Sequence, residues 1–158
     1  MKLHTITATQ RIPGRLDEVF DFFRSPENLA ALTPAWIGFR ILTPRPIPIR
    51  EGTLIDYTIG WVGIRMHWRT LITTFAPPHE FVDEQLKGPY LMWHHRHTFR
   101  AEGEATVMTD TVTYALPFGF LGSLVHALIV GRQIRGIFAF REEAIAARFG
   151  ATVGEAGR

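Results

Sequence analysis

The chain contains no cysteine. That excludes a disulfide framework and a thiolate nucleophile. It also lacks a dominant charge: 17 basic against 15 acidic residues leave a formal net charge of +2. So small a surplus gives no electrostatic footprint for nucleic acid, despite a basic isoelectric point. No apolar run is long enough for a bilayer. The most apolar, residues 118–131, is broken by His126 and falls short of the roughly 20 residues a span needs. The opening Met1-Lys2-Leu3-His4 has no apolar signal core. A Ser-His-Asp elbow, a Walker loop and a helical H-E-x-x-H are all missing. These absences predict a cytoplasmic protein with no transmembrane segment, no nucleic-acid partner, no cofactor and no metal.

What is present is a globular composition: 158 residues, 46% hydrophobic and 20% charged, enough for one domain with a real core. We expect that domain over residues 1–149 and a small, polar, flexible tail over 150–158.

Residues 81–99, FVDEQLKGPYLMWHHRHTF, carry the most information. Read with period two, they form a strand, a turn at Lys87-Gly88-Pro89 and a second strand. One face holds Phe81, Asp83, Gln85, Leu91, Trp93, His95, His97 and Phe99. The other holds Met92, His94, Arg96, Thr98 and Arg100, a solvent face. The face a sheet would bury therefore carries titratable groups among aromatics. Burying them is costly unless partners or water satisfy them, so the pattern predicts a partly polar cavity.

The remaining elements follow from periodicity and breakers. Residues 3–10 alternate and are rich in threonine, predicting a first strand. Leu16, Val19, Phe20 and Phe23 have amphipathic helical spacing. Ser25-Pro26-Glu27 reads as the start of a second short helix, with Ser25 as N-cap, which stops before Pro34. Strands are expected over 36–42, 53–61, 64–75, 80–86, 90–101 and 106–116, separated by proline and glycine breaks. Short turns between successive strands imply an antiparallel meander. Residues 121–149 then read as one long helix with a stripe of Leu124, Ala127, Gly131, Ile134, Phe138 and Ile145. Arg135 and Arg141 on it could snorkel at the cavity rim and meet an anionic head group, with surface solvation the favoured reading.

This order resembles the START-like superfamily, also called SRPBCC or Bet v 1-like, over residues 3–149. The specific part is Gly88-Pro89-Tyr90 followed by Trp93-x-His95-x-His97-x-Phe99. It is joined by Asn28-Leu29, Leu32-Thr33-Pro34, Gly52 with Tyr57, Trp68, Phe81-Val82-Asp83-x-Gln85, and Asp110 with Tyr114-x-x-Pro117. The chain is most similar to a bacterial subfamily of small ligand-binding members. The resemblance implies an α+β helix-grip fold. In it a curved antiparallel sheet of about seven strands, with two short helices after strand 1, wraps a long C-terminal helix. It also implies a hydrophobic or amphipathic ligand between sheet and helix, and no single activity.

On this frame the candidate ligand-contacting residues are Tyr57, Trp68, Asp83, Gln85, Trp93, His95, His97, Asp110, Tyr114, Ile134 and Phe138, with Trp61 and Phe118 as further wall residues. His95 and His97 share a strand face, with side chains about 7 Å apart along it. They suit acid/base catalysis, ligand orientation, or a structural role satisfied by a neighbouring Asp or Tyr. A metal is disfavoured, since no Glu or third His sits at a recognisable spacing. Folding the last hairpin about Gly103 brings Asp110 to His95 or His97; these three are the catalytic candidates. A binding protein for a lipid, quinone or polyketide-like molecule is favoured. The alternative is a cyclase/aromatase- or dehydratase-type enzyme in the same cavity. A weaker one is a partner-binding module that uses the apolar surface of residues 118–130.

Overall fold

The alternation in the sequence becomes the two faces of a single sheet. The computed structural model describes residues 2–61, 63–117, 119 and 129–150. The strands are β1 (His4–Pro13), β2 (Arg40–Ile41), β3 (Leu54–Trp61), β4 (Ile64–Ala76), β5 (Glu80–Lys87), β6 (Met92–Glu102) and β7 (Ala105–Ala115). All pairings are antiparallel, in the order β1-β7-β6-β5-β4-β3-β2. The first strand thus lies beside the last. Helices α1 (Leu16–Phe23), α2 (Pro26–Leu29) and α3 (Gly131–Phe149) complete the helix-grip arrangement. No helix among the described residues is long and apolar enough to cross a membrane.

Among the described residues three apolar clusters form, a small one around Ile47, Ile55 and Ile72 and two larger ones that flank the candidate site. The first of the larger two joins Ile12, Val19, Phe20, Phe23, Leu32, Phe81, Phe99, Met108 and Ile145. It holds α1 by its predicted stripe: Phe20 is 1% exposed and meets Phe81 and Phe99 edge-on, with centroids 5.9 and 5.2 Å away. Burial of such a ring contributes about 1.5–3 kcal/mol, with a smaller term for the edge-to-face geometry. The second joins Trp68, Tyr90, Val112, Tyr114, Val130 and Ile134. On β6, β7 and α3 the residues between the two clusters are polar, and that interval is where the candidate site lies.

Several expectations need correction. The strand expected over 36–42 is mostly a turn: Ala35–Ile37 forms a 3-10 helix, only Arg40–Ile41 pairs, and Trp36 is 59% exposed. Gly38, at φ 59°, ends that turn in a left-handed conformation that glycine adopts without strain. The turn seats on β3 at Gly60, where a Cβ would approach Ile37 O to 3.2 Å. Leu91 is not on the buried face but 61% exposed, and Tyr90 turns inward in its place. Ser25 precedes α2 as expected, yet its hydroxyl donates to Glu27 Oε2 at 2.8 Å and caps no backbone N–H. The long helix is described from Gly131 onward. Leu124, Ala127, the wall candidate Phe118 and the tail 151–158 lie outside the described residues.

Candidate functional site

Period two places the site. On β6, Trp93, His95, His97 and Phe99 share the inner face, as do Met108, Asp110, Val112 and Tyr114 on β7. The register sets Asp83 of β5 directly opposite His95, and His97 directly opposite Asp110 of β7. From α3, Arg141 reaches the same place. A band of polar side chains from three strands and one helix therefore crosses the inner face between two aromatic clusters.

The band is tightly paired. His97 bridges two carboxylates, Nδ1 to Asp110 Oδ1 at 2.5 Å and Nε2 to Asp83 Oδ2 at 3.0 Å. A carboxylate can only accept, so both nitrogens donate and the ring is an imidazolium. Arg141 Nε lies 3.1 Å from Asp110 Oδ2 in an ion pair that lacks hydrogen-bond alignment. His95 is held loosely, with Nδ1 3.5 Å from Asp83 Oδ2 and Nε2 3.6 Å from Asp110 Oδ1. Its buried Nε2 makes no hydrogen bond among the described residues. The two imidazoles lean together to a centroid separation of 3.8 Å, well inside the spacing a straight strand gives. His97 also stacks on Phe81, with centroids 4.1 Å apart.

Charges follow from these contacts. Burial works against the Asp110 carboxylate, but Arg141 and then the two imidazoles hold its pKa well below the usual range. Burial likewise opposes ionisation of Asp83, yet His95 and His97 keep it lowered. At His97 burial is outweighed by Asp110 and Asp83, and the pKa rises. At His95 burial dominates, reinforced by the neighbouring His97, and the pKa falls. With Asp83 and Asp110 ionised, His97 and Arg141 positive and His95 neutral, the band is balanced. His95 is the histidine of the band with a ring nitrogen that makes no hydrogen bond among the described residues.

The band opens on a cavity of about 190 Å³ between the sheet, α3 and the α1–α2 segment. Its wall is mostly apolar, including Ile55, Tyr57, Trp68, Trp93, Ile134 and Phe138. The polar exceptions include Asp83, His95, His97 and Arg141. Tyr57 OH and Trp68 Nε1 both meet Thr70 Oγ1, at 3.1 and 3.0 Å, so two aromatic wall residues are fixed by one hydroxyl. Burial and the nearby Asp83 raise the Tyr57 pKa, keeping the phenol neutral.

Residues 12–139 match the family described as polyketide cyclase / dehydrase and lipid transport. The chain belongs to this family. No curated protein is similar in sequence. Solved structures share the fold at low identity. TTHA0849 from Thermus thermophilus aligns with a TM-score of 0.64 at 16% identity, over 92% of this chain and 99% of that one. CV1439 from Chromobacterium violaceum gives 0.69 at 13%, over 92% and 97%. A point mutant of norcoclaurine synthase from Thalictrum, in complex with a transition-state analogue, gives 0.62 at 13%, over 93% and 97%.

Within this polyketide cyclase-type fold, eight of the expected contact residues line the cavity: Tyr57, Trp68, Asp83, Trp93, His95, His97, Ile134 and Phe138. Three do not. Gln85 faces the turn after β5, donating Nε2 to Tyr90 O at 2.7 Å and accepting from Tyr90 N–H at 3.2 Å. That clamp needs Gly88, where a Cβ would lie 2.3 Å from Gln85 Oε1. Asp110 stands behind the histidines, away from the wall of the main cavity. Tyr114 packs behind the wall, stacked on His4 at 5.4 Å and edge-on to Tyr90 at 5.7 Å. Arg141, expected on the surface, is 8% exposed and paired to Asp110. The signal was available: Ile134, Phe138, Arg141 and Ile145 continue one helical stripe. Tyr90 also lines the cavity; its place in Gly88-Pro89-Tyr90 was the clue.

Proposed function

We propose that this protein binds a hydrophobic or amphipathic small molecule, of the lipid, quinone or polyketide-like kind, in the cavity between sheet and α3. One observation carries the proposal: an apolar, aromatic-walled cavity is crossed by a single charge-balanced polar band. Apolar area supplies affinity, and a few convergent polar groups fix orientation. A neutral His95 with an unused nitrogen suits a carbonyl or hydroxyl oxygen. All four charged groups are already engaged with one another, so a free carboxylate on the ligand finds both cations of the band paired and faces Asp83. The test is native mass spectrometry of freshly purified protein, followed by organic extraction. A bound small molecule at one per chain supports the proposal. A bare chain that also gives no thermal shift with lipids, quinones or polycyclic phenols contradicts it.

A second reading, a cyclase/aromatase- or dehydratase-type enzyme, draws on one feature, His95. Burial keeps this imidazole in its neutral form, in which a ring nitrogen can act as a base, and the family description spans cyclases and dehydrases as well as lipid transport. His97 is a weaker acid/base candidate because both its nitrogens are held by carboxylates. Incubation with the extracted molecule separates the readings: turnover that is lost in His95→Gln while binding persists favours the enzyme.

A further inference from the structure

We propose that Asp83, His95 and His97 form a binding site for one divalent first-row transition ion of the zinc(II) or cobalt(II) kind. The donor atoms of these three side chains lie within 4.8 Å of one another. Two edges of the triangle already approach coordination size. Asp83 Oδ2 is 3.0 Å from His97 Nε2 and 3.5 Å from His95 Nδ1. Ligands 2.0–2.1 Å from one ion are separated by about 3.0–3.4 Å. Two imidazoles and one carboxylate on one side of an ion form the face that leaves its remaining positions open. All three residues line the cavity, so those open positions face it.

The surroundings match what a ligating histidine needs. Such a histidine donates its other ring N–H to an acceptor that fixes tautomer and orientation. Here the nitrogens opposite the donor atoms, His97 Nδ1 and His95 Nε2, both face Asp110 Oδ1, at 2.5 and 3.6 Å. Asp110 is in turn held by Arg141 at 3.1 Å. One carboxylate thus stands behind both rings, and its charge is already neutralised. His95 Nε2, without a hydrogen bond among the described residues, gains a reason to point at Asp110 once Nδ1 is a metal ligand. On binding, the ion takes the place of the proton between His97 and Asp83. With Asp110 and Arg141 cancelling, the ion and Asp83 leave one positive charge. Hydroxide, or an enolate or phenolate oxygen of a cavity occupant, neutralises it. Only this last donor depends on the proposed ligand; the three-residue site stands without it.

The experiment is titration of chelator-stripped full-length protein with Co2+, read by visible absorption and then by displacement with Zn2+. We expect one equivalent of Co2+, displaced by one equivalent of Zn2+. Affinity should fall at least tenfold in Asp83→Asn and His95→Gln and 10–100-fold in Asp110→Asn, and stay unchanged in His67→Gln, a histidine of the outer face. Circular dichroism checks that each variant folds. For the wild type, Co2+ must broaden the ring proton signals of His95 and His97 before those of His67 or His94. Absence of stoichiometric Co2+ binding, equal binding by folded Asp83→Asn, or first broadening at His67 or His94 would overturn the site.

Discussion

The sheet carries the same trio of residue types on both faces, and only one of them stands in a cavity. On the outer face, Asp56 accepts from His67 Nε2 at 2.7 Å and from Arg69 Nε and Nη2 at 2.9 and 3.1 Å. On the inner face, Asp110 meets His97 at 2.5 Å and Arg141 at 3.1 Å. The distances are similar and the surroundings are not. Asp56 and Arg69 side chains are 24% and 45% exposed, against 7% and 10% for Asp110 and Arg141. Outside, water screens each charge, and the fork of Arg69 on Asp56 is a modest gain. Inside, each charge is taken out of water, and the pairing must offset that loss before it contributes anything. A buried ionic band is therefore poor evidence for stability and better evidence for a site.

Removing a charge should break the comparison most visibly. Asp110→Ala leaves Arg141 and the His97 imidazolium buried without their shared partner. The expected loss is about 3–5 kcal/mol, as for other buried pairs broken on one side, read by urea unfolding. The matching Asp56→Ala should cost less than about 1 kcal/mol. Equal losses would mean that burial does not separate the two clusters. Next in size, His97→Gln should cost about 1–3 kcal/mol as two buried carboxylates lose a donor, whereas His67→Gln should leave the unfolding midpoint nearly unchanged.

The smallest expected effect is one of pH. Asp56 is held below its ordinary pKa by Arg69 first, against a contrary push from burial, with His67 adding to Arg69. Its folded pKa is thus lower than its unfolded one. The stability it contributes is present above the unfolded value, near 3.8, and is lost as pH falls through the folded value. Wild type and Asp56→Asn should therefore differ slightly at pH 6 and converge in acid, and added salt should shrink the difference. A gap that widens toward acid would reverse the assigned sign.

Much of this was legible because a strand alternates strictly. The period-two pattern of residues 81–99 placed His95 and His97 inward, and the hairpin at Gly103, φ 60°, brought Asp110 to His95 or His97, of which the register selects His97. The helix-grip order followed from strand count and the closing helix. Residue type misled at Arg141: an arginine on a long helix defaults to solvent, and its burial follows from the carboxylate of Asp110 on β7 and the Phe23 ring beneath its guanidinium. Turn chemistry hid two more details. Gly88-Pro89 lets Gln85 fold back on Tyr90, which removes Gln85 from the wall and sends Leu91 outward. The spacing argument against a metal does not reach Asp83, because that donor comes from the neighbouring strand and has no fixed offset from the histidines. The lean of the two imidazoles to 3.8 Å depends on partners from the two flanking strands, Asp83 on β5 and Asp110 on β7, which no spacing along one strand contains.

The central claim is that the inner face encloses a binding cavity, and filling that cavity from its wall tests it. Ile59 lines it. An apolar fluorophore that brightens when desolvated should bind wild type at one per chain, and Ile59→Trp should lose that binding while keeping its fold and melting cooperatively. Undiminished binding by a folded Ile59→Trp, or none by wild type, would contradict it.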